Sequence, residues 1–321
     1  MSVSSRSVRE RVDPFYPRPD PTAGDGPDPY GNPDPGWLGV DWREHLATAE
    51  VDGARVNYVE LGPPPSEQHP LALVFVHGLS GCWQNWLEQL PHFARRHRVI
   101  APDLPGFGCS PEPSWEISIP RYGELLRRFC DALDVGDAAL VGNSMGGFVS
   151  AEAVITQPDR FEKLVLVSAA GVSSARLRRA PTAVVARMLA AAAPYAMNLQ
   201  QRQFHRPRAR AVAFGNIIRH PLRLRSELLW EFFQGGMRAD AFADALGSLA
   251  GYEILDRLEE VEAPTLIVWG RNDRVVPPRD AAEFARRLRN SETVIFDDCG
   301  HVPQAERPTR FNRLLESFVS S

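Results

Sequence analysis

The chain has little of several features that would assign it to a specialised class of protein. It has four cysteines, Cys82, Cys109, Cys130 and Cys299, and no two of them form a C-x-x-C pair. This spacing disfavours a disulfide framework or a zinc site and favours unlinked thiols in a reducing compartment. No apolar run approaches the length of a membrane span, and the N-terminus lacks the hydrophobic segment of a secretory signal. We therefore expect a cytoplasmic protein.

The chain also has no excess of positive charge, since it has 36 Lys and Arg against 40 Asp and Glu, and its basic residues are unevenly placed. The 321 residues carry a formal net charge of −4, which gives no general reason to expect nucleic-acid binding. Between Gly171 and Ser226 there is no Asp or Glu, whereas arginines are abundant. This segment predicts either peripheral contact with an anionic membrane or a solvated helix surface. Its eleven arginines are Arg176, Arg178, Arg179, Arg187, Arg202, Arg206, Arg208, Arg210, Arg219, Arg223 and Arg225.

The first 36 residues differ in composition from the rest of the chain. Eight prolines lie between Asp13 and Pro35, a density that excludes a helix and leaves little to bury. We expect residues 1–36 to form an extended Pro-rich arm. Four aromatic residues can pin this arm to the body of the protein, the alternative being a mobile tail. They are Phe15, Tyr16, Tyr30 and Trp37.

Short apolar runs are plentiful in the remaining sequence and indicate β-strands. Residues 46–51 and 54–61 alternate around Asp52-Gly53, as an antiparallel hairpin should. Continuous runs, which imply strands covered on both faces, follow at 71–76, 99–101, 138–141, 164–167, 266–269 and 293–296. Helical patterns lie between them at 83–95, 118–133, 145–157, 279–289 and 309–318. The alternation predicts an α/β fold with a mostly parallel eight-stranded sheet flanked by helices.

One interval interrupts this alternation. Residues 171–250 contain only helical patterns, such as 181–197 and 226–233. We interpret this interval as a helical cap inserted into a core formed by residues 37–170 and 251–321. Ligands of open α/β sheets bind beyond the carboxyl ends of the strands, where such an insertion would form a lid.

The sequence Gly142-Asn143-Ser144-Met145-Gly146-Gly147 directly follows the predicted strand 138–141. A serine at a sharp strand-to-helix turn, with glycine two positions before and after it, is typical of a nucleophile elbow. The alternative is an ordinary glycine-rich loop. Since serine is a weak nucleophile at neutral pH, Ser144 needs a base, and the base needs an orienting carboxylate.

Both partners are available on loops that follow the last two predicted strands. Asp273 lies in Gly270-Arg271-Asn272-Asp273, and His301 lies in Cys299-Gly300-His301-Val302. Their order after Ser144 suits a Ser-Asp-His triad at the carboxyl edge of the sheet. Asp297 and Asp298 are weaker candidates for the acid, because they are too close to His301 in sequence to reach its far nitrogen easily.

The remaining requirement is a pair of backbone N–H groups that stabilise an oxyanion. Met145 supplies one as the residue after the nucleophile. We assign the other to Leu79, with Ser80 as the alternative, in the turn after the strand 71–76. We expect His77 and Asp103 to fix loops by hydrogen bonds rather than to act in catalysis.

Together these segments resemble the α/β-hydrolase fold superfamily. The resemblance rests on His-Gly at 77–78, Asp-Leu-Pro-Gly-Phe-Gly at 103–108, the elbow at 142–146, Gly-Arg-Asn-Asp at 270–273 and Gly-His at 300–301. It extends from about residue 46 to the C-terminus, without the details of the cap. It implies a serine hydrolase that needs no cofactor or metal and acts on a small-molecule ester.

Within that superfamily, the segments resemble different enzymes. The string 301–308 looks like that of simple ester and monoacylglycerol hydrolases, so carboxylic ester hydrolysis of apolar, lipid-like substrates is the leading expectation. The elbow looks like that of the meta-cleavage-product carbon–carbon hydrolases, although Val302 stands where those enzymes typically have Trp. A ligand-binding receptor on a hydrolase scaffold is a third possibility. We expect Trp83, Ser80 and Val302 to contact the substrate; the sequence predicts no oligomeric state.

Overall fold

The fold is built around a single eight-stranded sheet. The computed structural model describes residues 28–64, 71–176, 206–237 and 239–321. The strands are β1 (Leu46–Val51), β2 (Ala54–Leu61), β3 (Ala72–Val76), β4 (Val99–Pro102), β5 (Ala138–Asn143), β6 (Lys163–Val167), β7 (Thr265–Gly270) and β8 (Ser291–Phe296). Their order in the sheet is β1-β2-β4-β3-β5-β6-β7-β8.

The pairing directions confirm the mostly parallel sheet that the sequence predicts. β1 pairs antiparallel with β2, and β2 pairs antiparallel with β4. All other neighbouring strands are parallel. The five residues of β3 are all buried, because helices cover both faces of the sheet. The carboxyl ends of the parallel strands therefore share one edge, where the candidate catalytic loops lie.

Helices on the two faces of the sheet complete two apolar clusters. One cluster includes Phe129, Phe148 and Phe284, and the other includes Phe93 and Phe311. The described α-helices are α1 (Leu90–Phe93), α2 (Ile119–Ala132), α3 (Met145–Thr156), α4 (Pro207–Phe214), α5 (Ser226–Met237), α6 (Phe242–Leu249), α7 (Arg279–Arg287), α8 (Pro303–Glu306) and α9 (Pro308–Ser320). None of them is long and apolar enough to cross a membrane.

The predicted helix over residues 83–95 is wrong. The structure has a 3₁₀ helix at Trp83–Trp86 and a separate short helix, α1. Pro91 accounts for the break, because it has no N–H to donate and its ring would clash with the carbonyl of Leu87 in a continuous helix. At the start of α1 the same proline is well tolerated.

Two further predictions concern segments that are only partly described. Between β6 and β7, the described residues form helices α4 to α6 and short 3₁₀ turns without a strand; the predicted helix 181–197 lies outside them. In the N-terminal arm, Tyr30 and Trp37 are buried against the body of the protein. Phe15 and Tyr16 lie outside the described residues.

At the carboxyl edge, β7 and the loop after β8 approach each other closely. A Cβ placed on Gly270 would lie 1.9 Å from the Gly300 carbonyl oxygen. The Asn272 N–H donates to the Cys299 carbonyl, 2.8 Å away. Because no side chain fits between these backbones, glycine at 270 keeps the loops that carry Asp273 and His301 side by side.

Two buried side chains fix the loops after β3 and β4, as the sequence predicts. His77 makes a hydrogen bond through Nδ1 to the Gly78 carbonyl at 2.8 Å, and its Nε2 accepts from the Leu104 N–H at 2.9 Å. Burial lowers the pKa of His77 to about 4, so the ring is neutral at neutral pH. Asp103 accepts from the Trp83 N–H at 2.8 Å and from the Cys109 N–H at 2.9 Å. Both residues are therefore structural.

Replacing Gly270 by alanine should destabilise the fold by at least about 2 kcal/mol, because the new methyl group overlaps backbone that cannot move aside cheaply. Gly36→Ala is the matched control, since no atom lies within 4 Å of a Cβ at that position. Urea unfolding of the two variants and the parent measures the difference. Equal midpoints for both variants would contradict the close approach.

His77→Gln should make folding stability less sensitive to acid. As pH falls from the unfolded-state pKa near 6.5 towards about 4, the unfolded chain takes up a proton that folded His77 does not, so the parent loses stability. Over that interval the parent should lose about 3 kcal/mol more than the variant. Urea unfolding at neutral pH and at the acid end of the interval measures both slopes, and parallel slopes would refute the assignment.

Candidate active site

Ser144 occupies a sharp turn between β5 and α3. Its backbone has φ 55° and ψ −118°, a strained conformation for a residue other than glycine. A Cβ on Gly142 would lie 2.4 Å from the Gly146 carbonyl oxygen, and one on Gly146 would lie 2.2 Å from the Val76 carbonyl oxygen. Both glycines are thus required by sterics, as the elbow interpretation predicts.

His301 and Asp273 meet in the loops after β8 and β7. His301 Nδ1 lies 2.8 Å from Asp273 Oδ2. The other carboxylate oxygen, Oδ1, accepts from the N–H groups of Val275 at 2.8 Å and Val276 at 3.0 Å. Both side chains are almost fully buried. The carboxylate is therefore fixed in place, and it holds the imidazole with Nδ1 as the donor.

The two weaker candidates for the acid have other partners. Asp297 forms an ion pair with Arg271 on the surface. Asp298 lies 2.6 Å from His220 Nε2 and near the arginines of the predicted cap. Neither contacts the His301 ring in the described structure, whereas Asp273 does.

Ser144 and His301 line the same cavity, which has a volume of about 620 Å³. The described contacts include no direct hydrogen bond between the Ser144 hydroxyl and the His301 ring; such bonds are often long before a substrate binds. Because Nδ1 bonds to Asp273, Nε2 is the nitrogen left for the serine. The geometry places Ser144 and His301 on one cavity, with Asp273 bound to the imidazole of His301.

The two predicted oxyanion donors also lie at this place. Leu79 lines the cavity, and Met145 begins α3 directly after Ser144. Neither N–H has an acceptor among the described backbone bonds of turns and loops. Ser80, the alternative donor, also lines the cavity and has a φ of 59°. Within the described part of the chain, the N–H groups of Leu79 and Met145 are therefore available to an acceptor near Ser144.

The cavity wall is mainly apolar. Its described lining includes no Asp, Glu, Lys or Arg side chain. Of the three residues expected to contact substrate, Ser80 and Val302 line this cavity, whereas Trp83 is not among its lining residues. Trp83 is buried instead against Trp42, with ring centroids 5.0 Å apart, because the 3₁₀ helix turns it towards the N-terminal segment. The apolar lining consists of Leu79, Ala170, Phe214, Ile217, Phe232, Phe233, Phe242, Leu246, Leu249, Val275, Val276 and Val302.

Sequence reasoning missed a buried carboxylate beneath the His301 loop. Glu306 is fully buried, and it accepts hydrogen bonds from Gly300 N–H at 2.9 Å and Val302 N–H at 3.2 Å, on either side of His301. Burial raises the pKa of Glu306, while its hydrogen bonds act in the opposite direction. The only sequence signal was an acidic residue five positions after His301.

Glu306 also joins two distant segments to this loop. The Tyr30 hydroxyl donates to Glu306 Oε2 at 2.5 Å and accepts from the His220 N–H at 2.8 Å. The Arg219 N–H donates to the same carboxylate oxygen at 2.9 Å. The His301 N–H donates to the Ile217 carbonyl at 2.8 Å. The N-terminal segment, the predicted cap and the His301 loop are therefore tied together at one buried point.

No cluster of three or more His, Cys, Asp or Glu side chains within the described residues is arranged to hold a metal ion. All four cysteines lie in the described part of the chain and are free thiols. The chemistry that the arrangement itself can perform is nucleophilic attack with general acid–base assistance.

Comparison with known proteins places these features in a family. A 2-hydroxy-6-oxo-2,4-heptadienoate hydrolase from Pseudomonas putida is 31% identical over 78% of this chain and 89% of its own length. The dihydrolipoyllysine-residue acetyltransferase component of an acetoin cleaving system, also from Pseudomonas putida, is 30% identical over 84% of this chain and 68% of its own length. The crystal structure of a membrane phospholipase A superposes with a TM-score of 0.64 and 25% identity, covering 85% of this chain and 86% of that one.

The family model for the alpha/beta hydrolase fold matches residues 72–308, from the start of β3 to the start of α9. This match includes the elbow, the Asp273 and His301 loops and the intervening helices. The chain belongs to the alpha/beta hydrolase fold family.

Proposed function

We propose that the protein is a serine hydrolase that cleaves carboxylic esters with predominantly apolar acyl groups. The observation that carries the proposal is the position of Ser144 on an apolar cavity wall beside His301, which is hydrogen-bonded to Asp273. An apolar cavity of about 620 Å³ accommodates a medium-sized or long acyl chain by burying its methylene groups. A small-molecule ester is thus the proposed partner.

The reaction proceeds in two steps. His301 Nε2 takes the proton of Ser144 while the serine oxygen attacks the ester carbonyl, and the N–H groups of Leu79 and Met145 stabilise the oxyanion. The C–O bond to the alcohol breaks, His301 returns the proton to the alcohol, and the acyl-enzyme remains. Water then attacks the acyl-enzyme with His301 as base, which releases the acid and restores Ser144. Asp273 holds the imidazole and stabilises its positive charge throughout.

Carbon–carbon bond hydrolysis is the second candidate, because a relative 31% identical to this chain bears the name of a dienoate hydrolase. Such a substrate carries a carboxylate. The described lining of the cavity offers no Arg or Lys to pair with it, which favours the ester. Steady-state assays with a p-nitrophenyl ester and a 2-hydroxy-6-oxodienoate separate the candidates: a larger kcat/KM for the dienoate would overturn the preference.

A receptor that keeps a hydrolase pocket would bind ligand with negligible turnover. The free N–H groups beside Ser144 and the fixed imidazole favour an enzyme instead, because ligand retention needs neither. The free thiols agree with a cytoplasmic location, which we propose.

Ser144→Ala should lower hydrolysis of a p-nitrophenyl acyl ester by at least about 10⁴-fold and abolish labelling by a fluorophosphonate, because the nucleophile is lost. Ser174→Ala is the matched control, since Ser174 lines the same cavity but its hydroxyl accepts the Gly171 N–H. Circular dichroism confirms folding of both. Substantial turnover by Ser144→Ala, or loss of labelling only in Ser174→Ala, would reject Ser144 as the nucleophile.

Glu306→Gln should lower kcat by about tenfold or more with a smaller change in KM. The Gln side chain places an NH₂ donor where Glu306 accepts from N–H and O–H donors. Because donors facing each other cannot bond, the His301 loop should be displaced. Tyr30→Phe removes one donor and should lower kcat less. The rate of fluorophosphonate labelling should fall in parallel with kcat.

The control is Tyr252→Phe, which removes a comparable tyrosine–glutamate hydrogen bond of 2.9 Å, to Glu152, from a residue that does not line the cavity. It should lower the unfolding temperature without changing kcat. If Glu306→Gln affected only the unfolding temperature, the residue would be structural and its positioning role would be wrong.

A further inference from the structure

The exposed apolar side chains of this protein are concentrated beside the cavity. Six large hydrophobic residues are exposed in the described part of the chain, and four of them surround the mouth or lie on the predicted cap. Val212 on α4 is the most exposed, at 86%. Leu222 follows in the adjacent 3₁₀ turn Pro221–Arg223, while Ile217 and Val275 also line the cavity. Two of these four residues line the cavity and three belong to the segment 212–222, which indicates a surface that leaves water in function.

The segment of the predicted cap that carries most of these apolar residues is rich in arginine and contains no acidic residue. From Arg206 to Arg225 there are six arginines and no Asp or Glu, although the whole chain has a net charge of −4. Arg206 and Arg208 are exposed and form no ion pair with a described residue. Arg219 and Arg223 are exposed and each lie 3.7 Å from Asp298, one carboxylate between two guanidinium groups. This surface therefore keeps an excess of positive charge.

We propose that the surface formed by Pro207–Arg223 and Val275, the docking surface, binds an anionic phospholipid bilayer. Val212 and Leu222 enter the headgroup region, and the arginines pair with lipid phosphates. Ile217 and Val275 then place the cavity mouth against the bilayer, so that a lipid ester can enter without crossing water. Binding to the bilayer is independent of the proposed ester hydrolysis. The delivery of a lipid ester to the cavity rests on that proposed function.

A bilayer fits this surface better than a second protein does. The apolar side chains are single residues separated by arginines, whereas the core of a protein interface is depleted of charge. A second copy seated here would also cover Ile217 and Val275 and close the cavity mouth. A bilayer needs no continuous apolar patch, because single apolar side chains can insert shallowly while the arginines contact headgroups. It also supplies the lipid ester at the cavity mouth, whereas a second copy would block that mouth.

Flotation of the full-length Ser144→Ala protein with vesicles tests binding without turnover. Binding to mixed phosphatidylcholine–phosphatidylglycerol vesicles should exceed binding to phosphatidylcholine alone by at least about tenfold and weaken in high salt. The double substitution Arg208→Glu and Val212→Ser, on one face of α4, should remove it. Neither residue lines the cavity, so this double substitution in the parent should leave hydrolysis of a water-soluble ester unchanged.

The matched control is Arg55→Glu with Leu46→Ser, an exposed arginine and an exposed leucine on the β1–β2 hairpin. It should bind vesicles as the parent does. Absence of binding, equal binding to both vesicle types, or binding that survives Arg208→Glu and Val212→Ser would overturn the proposal. So would a dimer in sedimentation that this double substitution dissociates, because the surface would then join two copies. Failure of ester hydrolysis with intact vesicle binding would reject only the proposed function.

Discussion

The carboxylate of Glu306 is the constraint on which the proposed catalytic arrangement depends. A buried carboxylate without donors is strongly unfavourable, so its position is stable only while the groups around it are in place. Those groups belong to three segments: Tyr30 from the N-terminal segment, Arg219 from the predicted cap, and Gly300 and Val302 from the loop that carries His301. Burial keeps the pKa of Tyr30 raised, so the phenol remains a donor. Displacing any one segment removes hydrogen-bond donors from this buried carboxyl group.

The same site depends on glycines at which neighbouring backbone segments lie too close together to leave room for a side chain. Gly142 and Gly146 let β5, α3 and the Val76 carbonyl meet, which forces Ser144 into its strained turn. Gly270 does the same for the loops of Asp273 and His301. The proposed nucleophile and its proposed base are therefore positioned by loops at the sheet edge, and Glu306 binds the backbone on both sides of His301. Strain at Ser144 persists because its surroundings leave no relaxed alternative.

The strands and the catalytic loops were predictable from sequence because their signals are local. A continuous apolar run followed by glycine-containing motifs places Ser144, Asp273 and His301 at strand ends without knowledge of the rest of the fold. The prediction of one helix over residues 83–95 was wrong because Pro91 interrupts an otherwise helical pattern. The contact between Tyr30 and Glu306, 276 positions apart, has no local signal. The position of Trp83 outside the cavity lining was unpredictable for a related reason, since its orientation depends on packing against Trp42.

The anchoring at Glu306 and the proposed docking surface constrain each other. Ile217 presents its side chain to solvent at the cavity mouth, while its carbonyl accepts the His301 N–H at 2.8 Å. Arg219 is exposed beside it, yet its N–H is bound to Glu306. Two residues of the docking surface are thus fixed through their backbones to the catalytic loop. A bilayer that contacts their side chains would lie directly against the entrance to the site, and this part of the predicted cap would keep its position relative to the imidazole. If a lipid ester enters here, as we propose, the hydrogen bond between the His301 N–H and the Ile217 carbonyl would keep the segment that holds His301 in place during entry.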